Sequence, residues 1–399
     1  MRGIKTTLRD NRSVNRAYTI YRTRVTRAKY LKLQAHYQGY AAEHSLIYSE
    51  EQNREKLEGS LCSRGLQIEP AQKGALRIVF AGVDHGQDYG GILQGLGKFG
   101  EVIPFTRDAG EYGQELPGAK KRETAVENGR RLIDIVEGAS REGPVHAVIG
   151  QMWERSMSGD ALNTIRYMGI PVVNISMDDR HAFKKNRRRG SFGGTKGLIG
   201  AIDLACTAAR ECCLWYQIEG CPALYFPEAS DPEMYGPMPV DKEHDVVFVG
   251  MNYGIRSDII ATIEKAGIKT TCYGNGWPNG RIDLKDIPGL FAGSRIVLGI
   301  GTIGNCADFF ALKMRDFDGP MSGSLYVTHD NPDLYDFFEV GKEIVTYRSR
   351  KDLAEKLAYY LKHVDEAEEI AIAGRRRAEG EHTWEMRFDK LLRFCGLLA

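Results

Sequence analysis

The sequence predicts an α/β protein with two doubly wound parallel-sheet domains in tandem, preceded by a basic helical extension. Short apolar runs alternate with helix-length stretches from residue 75 onward, a pattern typical of βαβ units. A polar, proline-rich stretch at 228–245 interrupts the alternation, which indicates a domain boundary. We therefore predict an extension at 1–74, a first domain at 75–230, a second domain at 231–380 and a final helical segment at 381–399.

Eleven apolar runs are the predicted strands. Six belong to the first domain, at 75–82, 101–105, 145–150, 171–176, 202–208 and 222–227, and five to the second, at 245–250, 269–274, 295–300, 324–328 and 343–347. Such short apolar runs are typical of buried parallel strands. Because ligands of parallel sheets bind beyond the carboxyl ends of the strands, the tandem domains predict a site in a cleft between them.

Composition and charge exclude several classes of protein. The net charge is +1 and hydrophobic residues make up 42% of the chain. No run approaches the roughly 18 apolar residues of a membrane span, and the first residues lack the apolar core of a secretory signal. The eight cysteines form no C-x-x-C pair, so we expect reduced thiols in a cytoplasmic protein. No nucleic-acid partner is expected.

The first 40 residues are strongly basic, with ten Lys or Arg and one acid, Asp10. Apolar residues recur there at a spacing of three and four, which predicts an amphipathic helix. These residues are Val14, Ala17, Tyr18, Tyr21, Val25 and Ala28. Two interpretations remain open: the helix lies on an anionic membrane surface, making the protein peripheral at the inner face, or it docks on the protein body or a second subunit.

Four motifs in the second half carry a family resemblance. They are FVGMNYGIR at 248–256, YGNGWPNGR at 273–281, KMRDFDGPMSG at 313–323 and EHTWEMR at 381–387. In this order they resemble the C-terminal domain of CgeB-like (spore-maturation-type) glycosyltransferases, relatives of group 1 glycosyltransferases. The resemblance covers about residues 245–390, is weaker over 75–230 and leaves 1–70 uncovered.

The resemblance implies a GT-B fold, in which two Rossmann-like domains face a cleft and the final helix returns to the first domain. It also implies transfer of a sugar from a nucleotide-sugar donor to a glycan, lipid-linked or protein acceptor, as in bacterial surface glycan or glycoconjugate synthesis. No metal and no other cofactor is implied.

The loop at 250–256 suits a donor diphosphate on physical grounds, because it joins a strand end to a helix start. Backbone N–H groups and the helix dipole favour an anion there. Gly250 and Gly254 permit close approach of the backbone, and Arg256 offers a forked contact to phosphate. Tyr253 of the same motif and Gly274 of the next are assigned to the donor site through the resemblance.

Further donor residues follow along the chain. Lys313 and Arg315 are placed to neutralise the departing diphosphate. Asp318 aligns with the carboxylate that related enzymes use to hold the donor ribose, whereas Phe310 occupies the position where group 1 enzymes often carry another acid. Trp277 is either a stacking surface for base or sugar, or a side chain that packs its turn.

The acceptor side is predicted in the first domain. Asp84 and His85 follow the first strand, and either side chain is chemically suited to take the proton of the acceptor hydroxyl. Asp178 and Asp179 follow the fourth strand and are candidates for contact with an acceptor sugar. No third ligand at metal spacing accompanies them, so no metal site is predicted.

The sequence suggests three alternatives to a glycosyltransferase. Gly299, Gly301 and Gly304 match a dinucleotide fingerprint, but they follow the third strand of their domain rather than the first, which argues against a nicotinamide or flavin enzyme. A nucleotide-sugar epimerase of GT-B architecture and a non-catalytic carbohydrate-binding or assembly protein both remain open.

Overall fold

The computed structural model describes residues 12–82, 88–105, 121–184 and 194–399. All eleven predicted strands are present, each within two residues of its predicted bounds. In chain order they are β1 Leu76–Ala81, β2 Gly100–Pro104, β3 Ala147–Gly150, β4 Val172–Ser176, β5 Leu204–Thr207, β6 Ala223–Tyr225, β7 His244–Val249, β8 Thr270–Tyr273, β9 Ser294–Leu298, β10 Leu325–His329 and β11 Val345–Tyr347.

Helices separate most of these strands. In the first half they are α1 Arg12–Glu43, α2 Glu50–Ser63, α3 Leu93–Gly97, α4 Lys121–Glu142, α5 Gly159–Tyr167, α6 Asp179–Ala182 and α7 Arg210–Ile218. In the second half they are α8 Arg256–Lys265, α9 Ile287–Ala292, α10 Arg315–Met321, α11 Arg350–Tyr360, α12 Val364–Glu381 and α13 Trp384–Phe394. Ser349 caps α11, since its hydroxyl accepts a hydrogen bond from the Asp352 N–H at 3.1 Å, as the residue types suggest.

Strands β1 to β6 form one parallel sheet in the order β2-β1-β3-β4-β5-β6. Every residue of β3 and β4 is buried, as expected for a parallel sheet covered on both faces. Strands β7 to β11 form a second parallel sheet in the order β11-β10-β9-β7-β8. Strand order reverses beside β7, so the loop after β7 lies where doubly wound sheets bind ligands.

Contacts group the chain into two compact units. One contains the second sheet, Ala229–Thr383, together with the chain up to Leu31, and the other contains Lys32–Glu228 with Trp384–Ala399. The predicted extension at 1–74 is therefore not a separate body, because its first helix is divided between the units. In the second unit α13 packs on the first sheet, where Trp384 lies 6.3 Å from Phe226 between ring centroids.

The proline-rich stretch after β6 begins where the chain passes from one unit to the other, and part of it is buried. Ala229 and Ser230 are completely buried and Tyr235 is 3% exposed. The Ser230 hydroxyl is bonded to Asp318, and the Tyr235 ring lies 6.0 Å from the Phe291 ring between centroids.

Helix α1 is docked on the protein, but through a face that the spacing of apolar residues does not predict. Thr19 is 3% exposed, and the Thr23 hydroxyl accepts a hydrogen bond from the Ala307 N–H at 2.8 Å. Tyr18 and Tyr21, from the predicted apolar face, are 49% and 61% exposed. Among the described residues no helix is both long enough and apolar enough to span a membrane.

Candidate functional site

Three of the four sequence motifs meet at the carboxyl edge of the second sheet. The loop 250–255 follows β7, the turn 274–280 follows β8, and α10 carries the residues from Arg315 onward. Parallel strands end at the same edge of a sheet, so side chains distant in sequence are brought together there. The site is built from this loop, this turn and the first turn of α10.

Arg315 reaches from α10 to the end of β7. Its Nε donates a hydrogen bond to the Val249 carbonyl at 2.8 Å, and its guanidinium carbon lies 4.8 Å from the centre of the Phe248 ring. A Cβ atom on Gly250 would lie 2.7 Å from Nη2 of Arg315. Nη1 of Arg315 is buried and has no hydrogen-bond partner among the described residues, so it is available to a ligand.

Arg256, at the start of α8, is 4% exposed and holds the loop after β7. Nη1 donates to the Met251 carbonyl at 2.8 Å, while Nη2 donates to the Tyr253 hydroxyl at 3.1 Å and to the Ile300 carbonyl at 3.2 Å. Its Nε is buried without a partner in the described part of the chain. Arg256 therefore has a structural role, and its predicted contact to phosphate stays a prediction.

The two guanidinium groups flank Gly250, and both lie against the ring of Phe248, at 4.8 and 5.4 Å. Burial, with a smaller contribution from Arg315, lowers the pKa of Arg256 to about 10, so Arg256 is charged at neutral pH. Within the ranges that the structure describes, neither cation lies within ion-pair distance of a carboxylate. Arg256 is buried and Arg315 is half-buried, and two adjacent guanidinium groups that make no ion pair with a carboxylate in these ranges suit the binding of an anion.

Gly250 is needed at this strand end because any side chain would collide with the arginines. Its added Cβ would also meet Nη1 of Arg256 at 3.2 Å and Cζ of Phe248 at 3.1 Å. Phe248 is the residue that the sequence analysis did not assign, although its ring supports both cations by cation–π contact. A phenylalanine two residues before the strand-end glycine is the sequence signal for it.

The turn after β8 is packed against the loop after β7. Gly274 has a φ of +129°, and a Cβ atom there would lie 2.4 Å from the Gly250 carbonyl oxygen. The Trp277 indole N–H donates to that same carbonyl at 2.8 Å, and its ring lies 6.0 Å from Phe248. These contacts match the packing interpretation of Trp277, and a stacking role toward base or sugar stays a prediction.

Tyr253 and Thr302 connect this loop to the segment after β9. The Tyr253 hydroxyl donates to the Thr302 carbonyl at 2.9 Å. The Thr302 hydroxyl is fully buried and unpartnered within the described residues. Gly254 lies next to Tyr253 with a φ of +60° and precedes α8. The unpartnered atoms of Arg256, Arg315 and Thr302 therefore belong to one connected group of residues.

Asp318, predicted to hold the ribose, is 5% exposed and is bonded to the segment after β6. Its carboxylate accepts from the Ser230 hydroxyl at 2.7 Å, and the Tyr235 hydroxyl also donates to it. Burial raises the pKa of Asp318 to about 8. These partners give Asp318 a structural role that the sequence analysis did not predict, and its contact with ribose stays a prediction.

This raised pKa gives a test by pH. In the unfolded chain an aspartate has a pKa of about 3.9, so between about pH 4 and pH 8 the folded protein holds a proton that the unfolded chain has lost. The contribution of Asp318 to stability is therefore full below about pH 4 and falls as pH rises to about 8. In the native protein Asp318 should lower the free energy of unfolding by up to about 1.4 kcal/mol per pH unit over this range. We expect Asp318→Asn to remove this pH dependence. Denaturant titrations at several pH values measure the difference.

Donor affinity provides the complementary measurement. We expect Asp318→Asn to bind donor nearly as well as the native protein, because the carboxyl is occupied by Ser230 and Tyr235. A folded Asp318→Asn protein that no longer binds donor would instead support the ribose contact. An unchanged pH dependence would contradict the raised pKa.

Lys313 and Asp316 shape the entry to α10. The Lys313 N–H donates to the Asp316 carboxylate at 2.7 Å, and the Tyr326 hydroxyl donates to the other oxygen at 2.5 Å. Asp316 is thus a buried positioning residue for the segment that carries Arg315. Phe310, at the position of the absent acid, packs 5.0 Å from the His329 ring. Burial lowers the pKa of His329 to about 3, so it is neutral.

Of the four predicted acceptor residues of the first sheet, two lie within the described residues. Asp84 and His85 lie outside the described residues. Asp179 is 1% exposed, and its carboxylate accepts from Thr195 at 2.5 Å and from Tyr216 at 3.1 Å. The side chain of Asp178 is 41% exposed. The two acids therefore do not form one exposed pair, because α6 begins between them and turns Asp179 inward.

In the part of the chain that the structure describes, no three His, Cys, Asp or Glu side chains are grouped closely enough to hold a metal ion. That the protein needs no metal ion stays a prediction.

Comparisons with known proteins give one family match and several structures of similar fold. Residues 256–393 match the family described as glycosyl transferase-like, and no curated protein matches the chain. Among solved structures, sucrose-phosphate synthase from Thermosynechococcus elongatus has a TM-score of 0.55 at 10% identity, with 80% of this chain and 98% of that chain covered. A glycosyltransferase from Rickettsia africae gives 0.53 at 13% identity, covering 81% and 98%.

A third similar structure is HepE of Anabaena in complex with UDP and glucose, with a TM-score of 0.53 at 11% identity, covering 81% of this chain and all of that one. At these identities the likeness shows the fold. The predicted GT-B fold class, with two Rossmann-like parallel sheets and an N-terminal helix, is confirmed.

Proposed function

We propose that this chain is a glycosyltransferase that uses a nucleoside diphosphate sugar, with the diphosphate bound at the end of β7 by Arg315 and Arg256. The observation that carries the proposal is the pair of guanidinium groups beside Gly250, neither of them paired with a carboxylate in the described ranges. A diphosphate supplies the missing negative charge. The match of residues 256–393 to the glycosyl transferase-like family supports the same assignment.

The chemistry follows from charge development. In glycosyl transfer the bond between the anomeric carbon and the diphosphate oxygen breaks, while the acceptor oxygen forms a new bond to that carbon. Negative charge grows on the diphosphate as it leaves, and preorganised cations stabilise it most in the transition state. Arg315 is the better placed of the two, because its Nη1 has no partner among the described residues and its Nε is anchored on the Val249 carbonyl.

The proposal extends to the donor, the acceptor and the proton acceptor. The donor is assigned as a nucleotide sugar because HepE, which shares the fold, is described in complex with UDP-glucose. The acceptor is assigned as a hydroxyl of a glycan or glycoconjugate, of the kind found at bacterial surfaces, through the family resemblance. Proton removal from that hydroxyl is assigned to Asp84 or His85, and Asp178 is the exposed acid on the acceptor side.

A panel of nucleotide sugars tests the function. The purified protein is expected to show a thermal shift with one or more of UDP-, GDP-, dTDP- and CMP-sugars and, with that donor, to release nucleoside diphosphate. Two cations favour a diphosphate leaving group over the single phosphate of a CMP-sugar. Product analysis by mass spectrometry then separates the classes: a glycosylated product supports transfer, whereas a donor converted only to its epimer, or binding of NAD alone, would contradict the proposal.

A further inference from the structure

Helix α1 presents large apolar side chains to solvent on the face opposite its packed face. Its packed face contains Thr19, Thr23 and Tyr30, with the Tyr30 ring 5.1 Å from Phe309. Residues at the spacing of the opposite face are Ala17, Ile20, Tyr21, Arg24, Ala28 and Leu31, here called the outer face. All six are exposed. At 1.5 Å per residue the outer face is about 21 Å long.

The outer face combines large apolar side chains with cations. Ile20, Tyr21 and Leu31 are 46%, 61% and 50% exposed, and Arg24 lies among them. Lys29 is exposed at the edge of this face. Beside it lies an open groove to which Ile20, Ala28 and Leu31 contribute apolar side chains. Its far side carries the ion pair of Arg27 with Asp308. Exposed apolar side chains in such a patch mark an interaction surface.

We propose that the outer face of α1 binds the surface of a bilayer that contains anionic phospholipids. A helix lying in the interface buries its apolar side chains at the boundary of headgroups and acyl chains. Tyrosine suits that depth because its ring is apolar and its hydroxyl is polar. Arg24 and Lys29 then meet the anionic headgroups, each contributing electrostatic attraction.

The charge of the outer face favours an anionic bilayer over a second copy of the chain as its partner. A twofold contact would place the same patch on both subunits, so Arg24 and Lys29 would face their own counterparts across an apolar contact. Over residues 12–43 the helix carries seven Lys or Arg and a single acid, Glu43. Arg27 is paired with Asp308 and Arg22 donates to the Gly304 carbonyl. Arg24 and Lys29 are exposed, and their positive charge is complementary to an anionic bilayer.

Vesicle co-sedimentation of the full chain tests the proposal. The protein is expected to pellet with vesicles of equal parts phosphatidylcholine and phosphatidylglycerol, and to stay in solution with pure phosphatidylcholine. Arg24→Glu with Lys29→Glu is expected to weaken partitioning by about thirtyfold or more, since each cation at an anionic surface contributes about fivefold. Tyr21→Ser with Leu31→Ser should abolish binding at high salt, where only apolar contact remains.

A matched control is available on another exposed helix. Ile372→Ser with Arg376→Glu makes the same types of change on α12, where Ile372 is 60% exposed, and is expected to leave vesicle binding unchanged. Circular dichroism and the thermal shift with donor show that each variant is folded. These readouts are independent, so a protein that binds vesicles and no donor overturns the proposed function alone.

Three outcomes would overturn the membrane proposal. They are equal binding to neutral and anionic vesicles, vesicle binding that survives both outer-face variants, and a dimer in analytical ultracentrifugation that these variants dissociate while no vesicle binding is found. The last result would assign the outer face to a second copy of the chain.

Discussion

Replacing Arg315 by alanine is expected to lower sugar transfer and donor hydrolysis by about a hundredfold to a thousandfold, the range found when a group that stabilises developing charge is removed. The Nη1 atom of Arg315 has no partner in the described ranges, and its Nε is anchored 2.8 Å from the Val249 carbonyl. Steady-state kinetics with saturating acceptor measures the loss. Stability should fall by only about 1 kcal/mol, since one hydrogen bond is lost.

Two companion variants sharpen this result. Arg295→Ala removes the same side chain from the amino end of β9, where it is 43% exposed and 3.9 Å from Asp245, and is expected to leave kinetics unchanged. Arg315→Lys keeps the charge without the planar fork, so intermediate activity is expected. Full activity of Arg315→Ala, or an equal loss in Arg295→Ala, would contradict the assignment of the diphosphate to this strand end.

Gly274→Ala is expected to destabilise the protein by about 3 kcal/mol and to remove donor binding. The added Cβ would lie 2.4 Å from the Gly250 carbonyl oxygen, and the φ of +129° disfavours any L side chain. Relief requires the turn after β8 to move from the loop after β7, which displaces the Gly250 carbonyl from the Trp277 indole. Chemical denaturation and a thermal shift with donor measure the two effects.

Gly289→Ala is the control for this substitution. Gly289 lies in α9, and a Cβ atom there meets no other atom within 4 Å, so a small gain in stability is expected from the higher helix propensity of alanine. Native stability of Gly274→Ala would show that the two loops are not packed as described.

The strands were predictable because each is a short apolar run whose meaning does not depend on the rest of the chain. Strand β4, for example, lies at Val172–Ser176, within the predicted run at 171–176. Buried parallel strands are apolar on both faces, so local hydropathy suffices to find them. Glycines and a cationic pair after such strands then indicated an anion site.

The functional site was predictable as a set of motifs and not as a set of contacts. Residue type and spacing placed Arg256 and Arg315 together, but the burial of Arg256 at 4% exposure depends on carbonyls 5 and 44 residues away. Asp318 likewise binds Ser230, 88 residues away. Hydrogen bonds between distant segments leave no periodic signal in the sequence.

The amino-acid sequence by itself therefore determined the order of strands and helices, the two parallel sheets and the motifs at the carboxyl edge of the second sheet. Tertiary structure alone decided which charges are paired and which remain available, and which face of α1 is covered. Thr23 faces inward because its hydroxyl accepts a hydrogen bond from the Ala307 N–H, while Tyr21 and Leu31 remain exposed. The physical reason is that burial depends on the complementarity of the opposing surface, which lies far away in the chain.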